Sequence, residues 1–378
     1  MRARSSQTKT RSGRRTHRWG SDFLVFVRKT ASLPSLTAPA PGPTVARVIS
    51  EQTHLDAARA GDDAAFRQLV DPHRRGLLAH CYRMCGSIQE AEDVVQEAML
   101  RAWNGLSTFE SRSSFRGWIY RIATNAALDA LRRAKVRCLP PMLVAAARPD
   151  AALVPAPTEP VWLEPYPDAL LPDEASSPDA ALSQRQSVSF AFLQALQRLP
   201  AAQRAALLLK DVVGSSASEV AELLDTSVPA VNSLLQRART TLGTAPPPEP
   251  ADPDEAHVVQ TYVRAFESAN VDVLVRLLRD DARMSMPPTP SWYQGRDAIC
   301  DWLGHNVLTS DAAGRFHGTR TRANGSPAVL MFGPDGALFG VHVLTLAGGR
   351  IDEICAFMQP SVLRFFESPA GRDGSSNP

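Results

Sequence analysis

Lysine is scarce in this 378-residue chain: Lys9, Lys29, Lys135 and Lys210 are the only lysines, and every other cation is an arginine. With the high Ala and Pro content, this points to a GC-rich bacterial genome. Cysteine is thin as well. Cys81, Cys85, Cys138, Cys300 and Cys355 are odd in number and scattered, which argues against a disulfide framework and fits a reducing cytoplasm. His80, Cys81 and Cys85 lie close together, but no fourth ligand follows at a suitable spacing, so neither metal nor cofactor is expected. No run approaches the ~20 apolar residues of a membrane span. "FLVFV", Phe23 to Val27, is too short for a signal-peptide core, so a soluble, unexported, cytoplasmic protein is expected. The net charge of +2 excludes little, because the charge is placed in blocks.

The length implies two or three domains. Residues 1–50 open with Arg2, Arg4, Lys9, Arg11, Arg14, Arg15 and Arg18 and then lose all periodicity. They read as a disordered basic tail, or as the product of a start placed too early, with Val45 and Val48 as alternative initiators. Residues 51–136 are helical throughout. Residues 137–181 form a Pro/Ala-rich linker without a cation between Arg148 and Arg185, although Glu159, Glu164, Asp168, Asp173, Glu174 and Asp179 are acidic. Helical periodicity fills 182–244 and ends in the Pro-rich spacer 245–254. Residues 255–368 read as helices followed by an antiparallel sheet, an α+β layout with hairpin turns at "GPDG" and "AGGR", and 369–378 as a disordered tail.

Three stretches carry chemistry. In "EAEDVVQEAMLRAW", Glu90 to Trp103, Val95, Ala98, Met99 and Ala102 make an apolar stripe, yet the outer side mixes Asp93, Gln96 and Glu97 with Leu100 and Trp103. Carboxylates beside exposed Leu and Trp are more than a solvated face needs. In "FESRSSFRGWIYRIATNAALDALRRAK", Arg121, Asn125 and Arg132 project together beside Trp118, and Arg112, Arg116 and Arg133 add charge. Such interleaving suits an unstacked nucleic-acid strand, although a solvated basic face around a core Trp reads equally well. Between Leu199 and Leu242 two helices meet across a short turn. Ser216 and Glu219 form a capping box, Ser227 caps the second helix, and Asn232, Ser233, Gln236, Arg237 and Thr240 lie outside, as a major-groove reader requires. An ordinary helical hairpin is the alternative.

"GSIQEAEDVVQEAMLRAW", "FRGWIYRIATNAALDALRR" and "LPAAQRAALLLKDVVGSSASEVAELLDTSVPAVNSLLQRAR" resemble, in order and spacing, regions two and four of the extracytoplasmic-function sigma factors of the sigma-70 family. The resemblance covers about half the chain. It implies two all-α sigma domains, the second a helix-turn-helix, in a protein that directs core RNA polymerase to promoters. It further implies that Asp93, Gln96, Glu97, Leu100 and Trp103 dock on the β′ coiled coil. Arg112, Arg116, Trp118, Arg121, Asn125, Arg132 and Arg133 would open and read the minus-ten element. Ser227, Asn232, Ser233, Gln236, Arg237 and Thr240 would read the minus-thirty-five element. Two positions depart from the family: Asp225 replaces a turn Gly, and Asn232 with Ser233 replaces a basic-polar pair. The acidic linker would occupy the polymerase's basic channel.

The C-terminal part resembles the SnoaL-like cone, which implies a fused regulatory domain with an unknown small ligand in a pocket lined by Met286, Trp292, Tyr293, Trp302, Phe316, Met331, His342 and Phe357. An enzyme reading, with the cone as an isomerase or hydrolase and the helices as a targeting module, needs an acid/base pair, and His342 has no carboxylate partner in the strand pattern. A DNA-binding activator that never joins polymerase is a third reading, and it leaves the Asp93–Trp103 face without a purpose.

Overall fold

The N-terminal helices are set by their caps. Helix α1 (Thr44–Arg59) begins inside the expected tail, so 44–50 are helical. Helix α2 (Asp63–Cys85) starts where the Asp62 carboxylate accepts from the amides of Ala64 and Ala65, and stops at left-handed Gly86. Ser87 and Ser114 cap α3 (Ile88–Gly105) and α4 (Phe115–Leu131) in the same way. The computed structural model describes residues 44–109, 114–132, 135–157, 162–172, 183–185, 187–243 and 254–367. Arg112 and Arg133 lie outside them, as do the expected N-terminal tail up to residue 43, most of the spacer 245–254 and the C-terminal tail. Among the described residues no helix is long and apolar enough to cross a membrane, and no three His, Cys, Asp or Glu side chains cluster as metal ligands would.

The second helical unit contains α5 (Phe190–Gln197), α6 (Ala201–Leu207) with a π turn at Leu208–Val212, α7 (Ala217–Leu223) and α8 (Val228–Leu242). The Ser216–Glu219 capping box forms in full. Asp225 adopts φ 52°, the left-handed conformation that a short polar side chain tolerates, so the turn survives without Gly.

The C-terminal unit runs α9 (Glu255–Glu267), α10 (Val271–Leu277), β1 (Leu278–Ser285), β2 (Trp292–Gln294), α11 (Arg296–Asn306), β3 (His317–Ala323), β4 (Ser326–Phe332), β5 (Leu338–Ala347), β6 (Arg350–Phe357) and α12 (Pro360–Leu363). Its sheet order is β2-β1-β6-β5-β4-β3. The sheet is mixed, not antiparallel as expected, because β1 pairs parallel to β6 with Met284 opposite Ile354. Hairpin turns announce only neighbouring antiparallel pairs; β1 and β6 meet after a long crossover, which local sequence does not mark.

This sheet separates two cores. Val341, Val343, Cys355 and Phe357 face the helical body, whereas Leu344, Ile354 and Ala356, one position away, pack under the cone's own helices. A fully buried side chain of this kind contributes about 1.5–3 kcal/mol, so this face adds apolar contact between cone and helices. The expected lining residue Phe357 therefore points away from the cone interior, its ring 5.6 Å from that of Phe190 on α5.

Candidate nucleic-acid interface

On α3, Ala91, Val94, Val95, Ala98 and Ala102 are buried and Met99 is half-buried. Asp93, Gln96, Glu97 and Leu100 are exposed together, Leu100 at 62%. Trp103 is half-buried against Phe66, ring centroids 5.1 Å apart, so Leu100 is the freer apolar group. Glu97 is not an isolated carboxylate: Arg101 Nε lies 2.7 Å from it and Arg101 Nη1 lies 2.9 Å from Asp129 on α4. The face is acidic at Asp93 and internally balanced at Glu97.

On α4, Arg116, Arg121, Asn125 and Arg132 are exposed, the last 3.7 Å from Asp129. Trp118 is half-buried in a cluster with Phe109 and Phe115, ring centroids 5.0 and 5.7 Å away. The helix-turn-helix unit covers part of this helix: α4 packs against α6 and α7, and Arg116 Nη2 donates to the Val213 carbonyl at 3.2 Å.

On α8, Val231, Leu235 and Ala238 are buried, and Asn232, Ser233, Gln236, Arg237 and Thr240 are exposed. Three hydroxyls are already engaged: Ser227 accepts from the Ala230 amide, while Ser233 and Thr240 donate to the carbonyls of Pro229 and Gln236. That leaves Asn232, Gln236 and Arg237 with the most free hydrogen-bonding capacity. Arg239, which was not singled out, pairs at 3.0 Å with buried Asp211 and fixes α8 on the unit below it. The two partners stand 28 positions apart in the chain, and nothing local pairs them.

The linker stretch "WLEPYPD" is not free. Trp162 to Pro167 are buried. Glu164 accepts from Ser87 Oγ at 2.8 Å at the start of α3, beside buried Arg137, which pairs with Glu90 at 2.8 Å. Burial, against the opposing pull of Ser87 and Arg137, raises the Glu164 pKa. Asp168, also raised by burial, accepts from the Gly325 amide at 2.9 Å and lies 3.5 Å from Arg322. These two acids serve internal contacts here and do not mimic a nucleic-acid strand.

The residue that sequence reasoning missed altogether is Asn324. "NG" between two strands signals a turn, but nothing local shows what the turn touches. Asn324, at φ 55° and 1% exposed, inserts into the helical body. Its Nδ2 donates to Tyr82 Oη at 2.7 Å and to the Val188 carbonyl at 2.6 Å, and its Oδ1 accepts from the Tyr166 amide at 2.9 Å. One side chain thus ties cone, first helical unit, linker and the entry to the second unit.

Of the expected pocket residues, Met286, Tyr293 and Trp302 belong to the cone's core, with Tyr293 and Trp302 stacked at 5.2 Å. Trp292 faces the linker and donates to the Val144 carbonyl. Burial lowers the His342 pKa to about 4, and its Nδ1 lies 2.8 Å from the Tyr262 hydroxyl.

Three family descriptions match in chain order: Sigma-70 region 2 over residues 69–137, Sigma-70 region 4 over 189–242, and the SnoaL-like domain over 259–354. The chain is 40% identical over 334 residues to the ECF RNA polymerase sigma factor SigG of Mycobacterium tuberculosis, covering 85% of this chain and 88% of the relative. It is 31% identical over 188 residues to SigW of Bacillus subtilis, covering 50% of this chain and 92% of SigW. The crystal structure of M. tuberculosis SigJ aligns over 78% of this chain and 96% of its own, with a TM-score of 0.49 and 23% identity.

Proposed function

Because the chain belongs to the extracytoplasmic-function sigma factors, the subunits that direct core RNA polymerase to promoters, we propose a division of labour among its surfaces. The exposed face of α3, with Asp93, Gln96, Glu97 and Leu100 and with Trp103 at its edge, docks on the β′ coiled coil. Arg121 and Asn125, with Trp118, Arg116 and Arg132 around them, engage the minus-ten strand, and Arg112 and Arg133, outside the described residues, belong to the same proposed set. Asn232, Gln236 and Arg237 read the minus-thirty-five element, with Ser227, Ser233 and Thr240 in supporting roles. The protein works in the bacterial cytoplasm, where its polymerase is.

The cone, in this reading, is a regulator and not a catalyst. It holds the two sigma domains in one body in which α4 is partly covered. His342 is paired with the Tyr262 hydroxyl inside the cone's packed core, where burial lowers its pKa to about 4. The observation that supports regulation best is the three-bond insertion of Asn324. At roughly 0.5–1.5 kcal/mol net per bond, it adds to the apolar contact of the sheet face, and its loss shifts the balance toward an open state.

Asn324→Gly tests this, because Gly keeps the positive-φ turn while deleting all three side-chain bonds. The expected result is a larger radius in small-angle scattering and more promoter-dependent transcription at limiting protein. An unchanged radius and unchanged transcription remove the regulatory reading.

A further inference from the structure

The cone's interior is packed with its own buried side chains, and a groove opens on its outer helical face. Between α9 and α10, under the β5–β6 turn, lies an open groove of about 540 Å³. Its floor is apolar, made by buried Val258 and Leu277 and half-buried Val273. Its walls carry His257, Arg264 and Arg276, with Asp254 at the rim beside Gly349.

Most arginines of the cone are paired with carboxylates, and among the described residues the two that line this groove are not. Arg279, Arg283, Arg296, Arg315 and Arg322 each stand within ion-pair distance of a carboxylate. Arg264 and Arg276 have no such partner among the described residues; nor have Arg350, which follows the lining residue Gly349, and Arg320, which lies outside the groove. Two guanidinium groups without a carboxylate partner among the described residues therefore line a groove whose floor is apolar, with half-buried Val273 its most accessible part. A guanidinium fork favours carboxylate, sulfonate or phosphate oxygens, and the apolar floor offers contact to the hydrocarbon part of the same molecule.

We propose that this groove binds a small organic anion with an apolar body, its acidic head on Arg264 and Arg276 and its body on Val258, Val273 and Leu277. A duplex is a poorer fit, since a phosphate backbone makes no use of the apolar floor. The site stands independently of whether the cone regulates.

The test uses the full-length protein with anilinonaphthalene sulfonate as a fluorescent probe and decanoate as competitor. The expected result is a saturable signal displaced by decanoate and not by decanol. It should weaken roughly tenfold or more in Arg264→Ala/Arg276→Ala and stay unchanged in Arg320→Ala, an unpaired arginine outside the groove. Both arginines of the double variant are exposed, and its melting temperature should match wild type. Methyl resonances of Val258, Val273 and Leu277 should shift with decanoate. Wild-type probe affinity in the double variant, or equal competition by decanol, overturns the proposal. So does a double variant that binds the probe normally while its holoenzyme loses affinity for duplex extended beyond the minus-thirty-five element, because the occupant is then DNA.

Discussion

His80 lies wholly inside the first helical unit, its Nε2 3.0 Å from Thr124 Oγ1. Burial, aided by the charge of Arg83, lowers its pKa to about 3. A folded value below the unfolded one, about 6.5, means that the neutral ring is favoured by folding. The corresponding stability is present above about pH 6.5 and is lost as pH falls toward the folded value. Each pH unit lost below about 6.5 costs about 1.4 kcal/mol for this one residue. Thermal unfolding of wild type between pH 7 and 5 should therefore show a falling midpoint, and His80→Gln should flatten that slope. An identical slope in both proteins removes His80 as its source. Asp225 is a second residue-level case. Asp225→Gly relieves a left-handed backbone that costs a non-glycine residue up to about 1–2 kcal/mol, offset in part by glycine entropy, so the variant should unfold at the same temperature or higher.

At the scale of the element, the roles proposed for the outer faces of α3 and α8 are open to direct test. Asp93→Arg with Glu97→Arg should fold, since both positions are exposed and the lost Glu97–Arg101 pair is worth at most about 1 kcal/mol. Co-purification with core polymerase should nevertheless disappear, because reversed charge repels a basic partner. Assembly at wild-type affinity would show that another face docks. On α8, Arg237→Ala should weaken binding to all duplexes and flatten its salt dependence, whereas Gln236→Ala should cost ~1–3 kcal/mol and relax preference at one base pair. Equal footprints in both variants and wild type would take the recognition role from this helix. These elements were legible in the sequence because caps and amphipathic faces are short-range. The coverage of α4 through Arg116 and Val213, ninety-seven positions apart, was not.

The whole molecule is held by a sheet that has two buried faces. Val343 faces the helical body and Leu344 the cone core. A buried, unpaired carboxylate is costly on either face, but the consequence differs. Val343→Asp should release the cone while leaving it folded, seen as a larger scattering radius with a retained cone melting transition. Leu344→Asp should unfold the cone itself. The reverse pattern, or the same outcome for both, would mean that the two cores are not separate. Deleting the cone is a blunter experiment than such a substitution, because it also exposes the surfaces that Phe357, Val362, Leu363 and Phe366 cover.

The Ser216–Glu219 capping box, the cap at Ser227 and the tolerance of Asp225 for a left-handed turn followed from the sequence alone, since each depends on residues within a few positions of one another, whereas the start of α1 at Thr44 did not. The tertiary structure alone decided the parallel pairing of β1 with β6, the burial of Glu164 and Asp168, the outward direction of Phe357 and the insertion of Asn324. Those contacts join distant parts of the chain, 242 positions apart for Asn324 and Tyr82. A buried polar group must find its hydrogen-bond partner wherever the fold brings one, and no local pattern records which residue that will be.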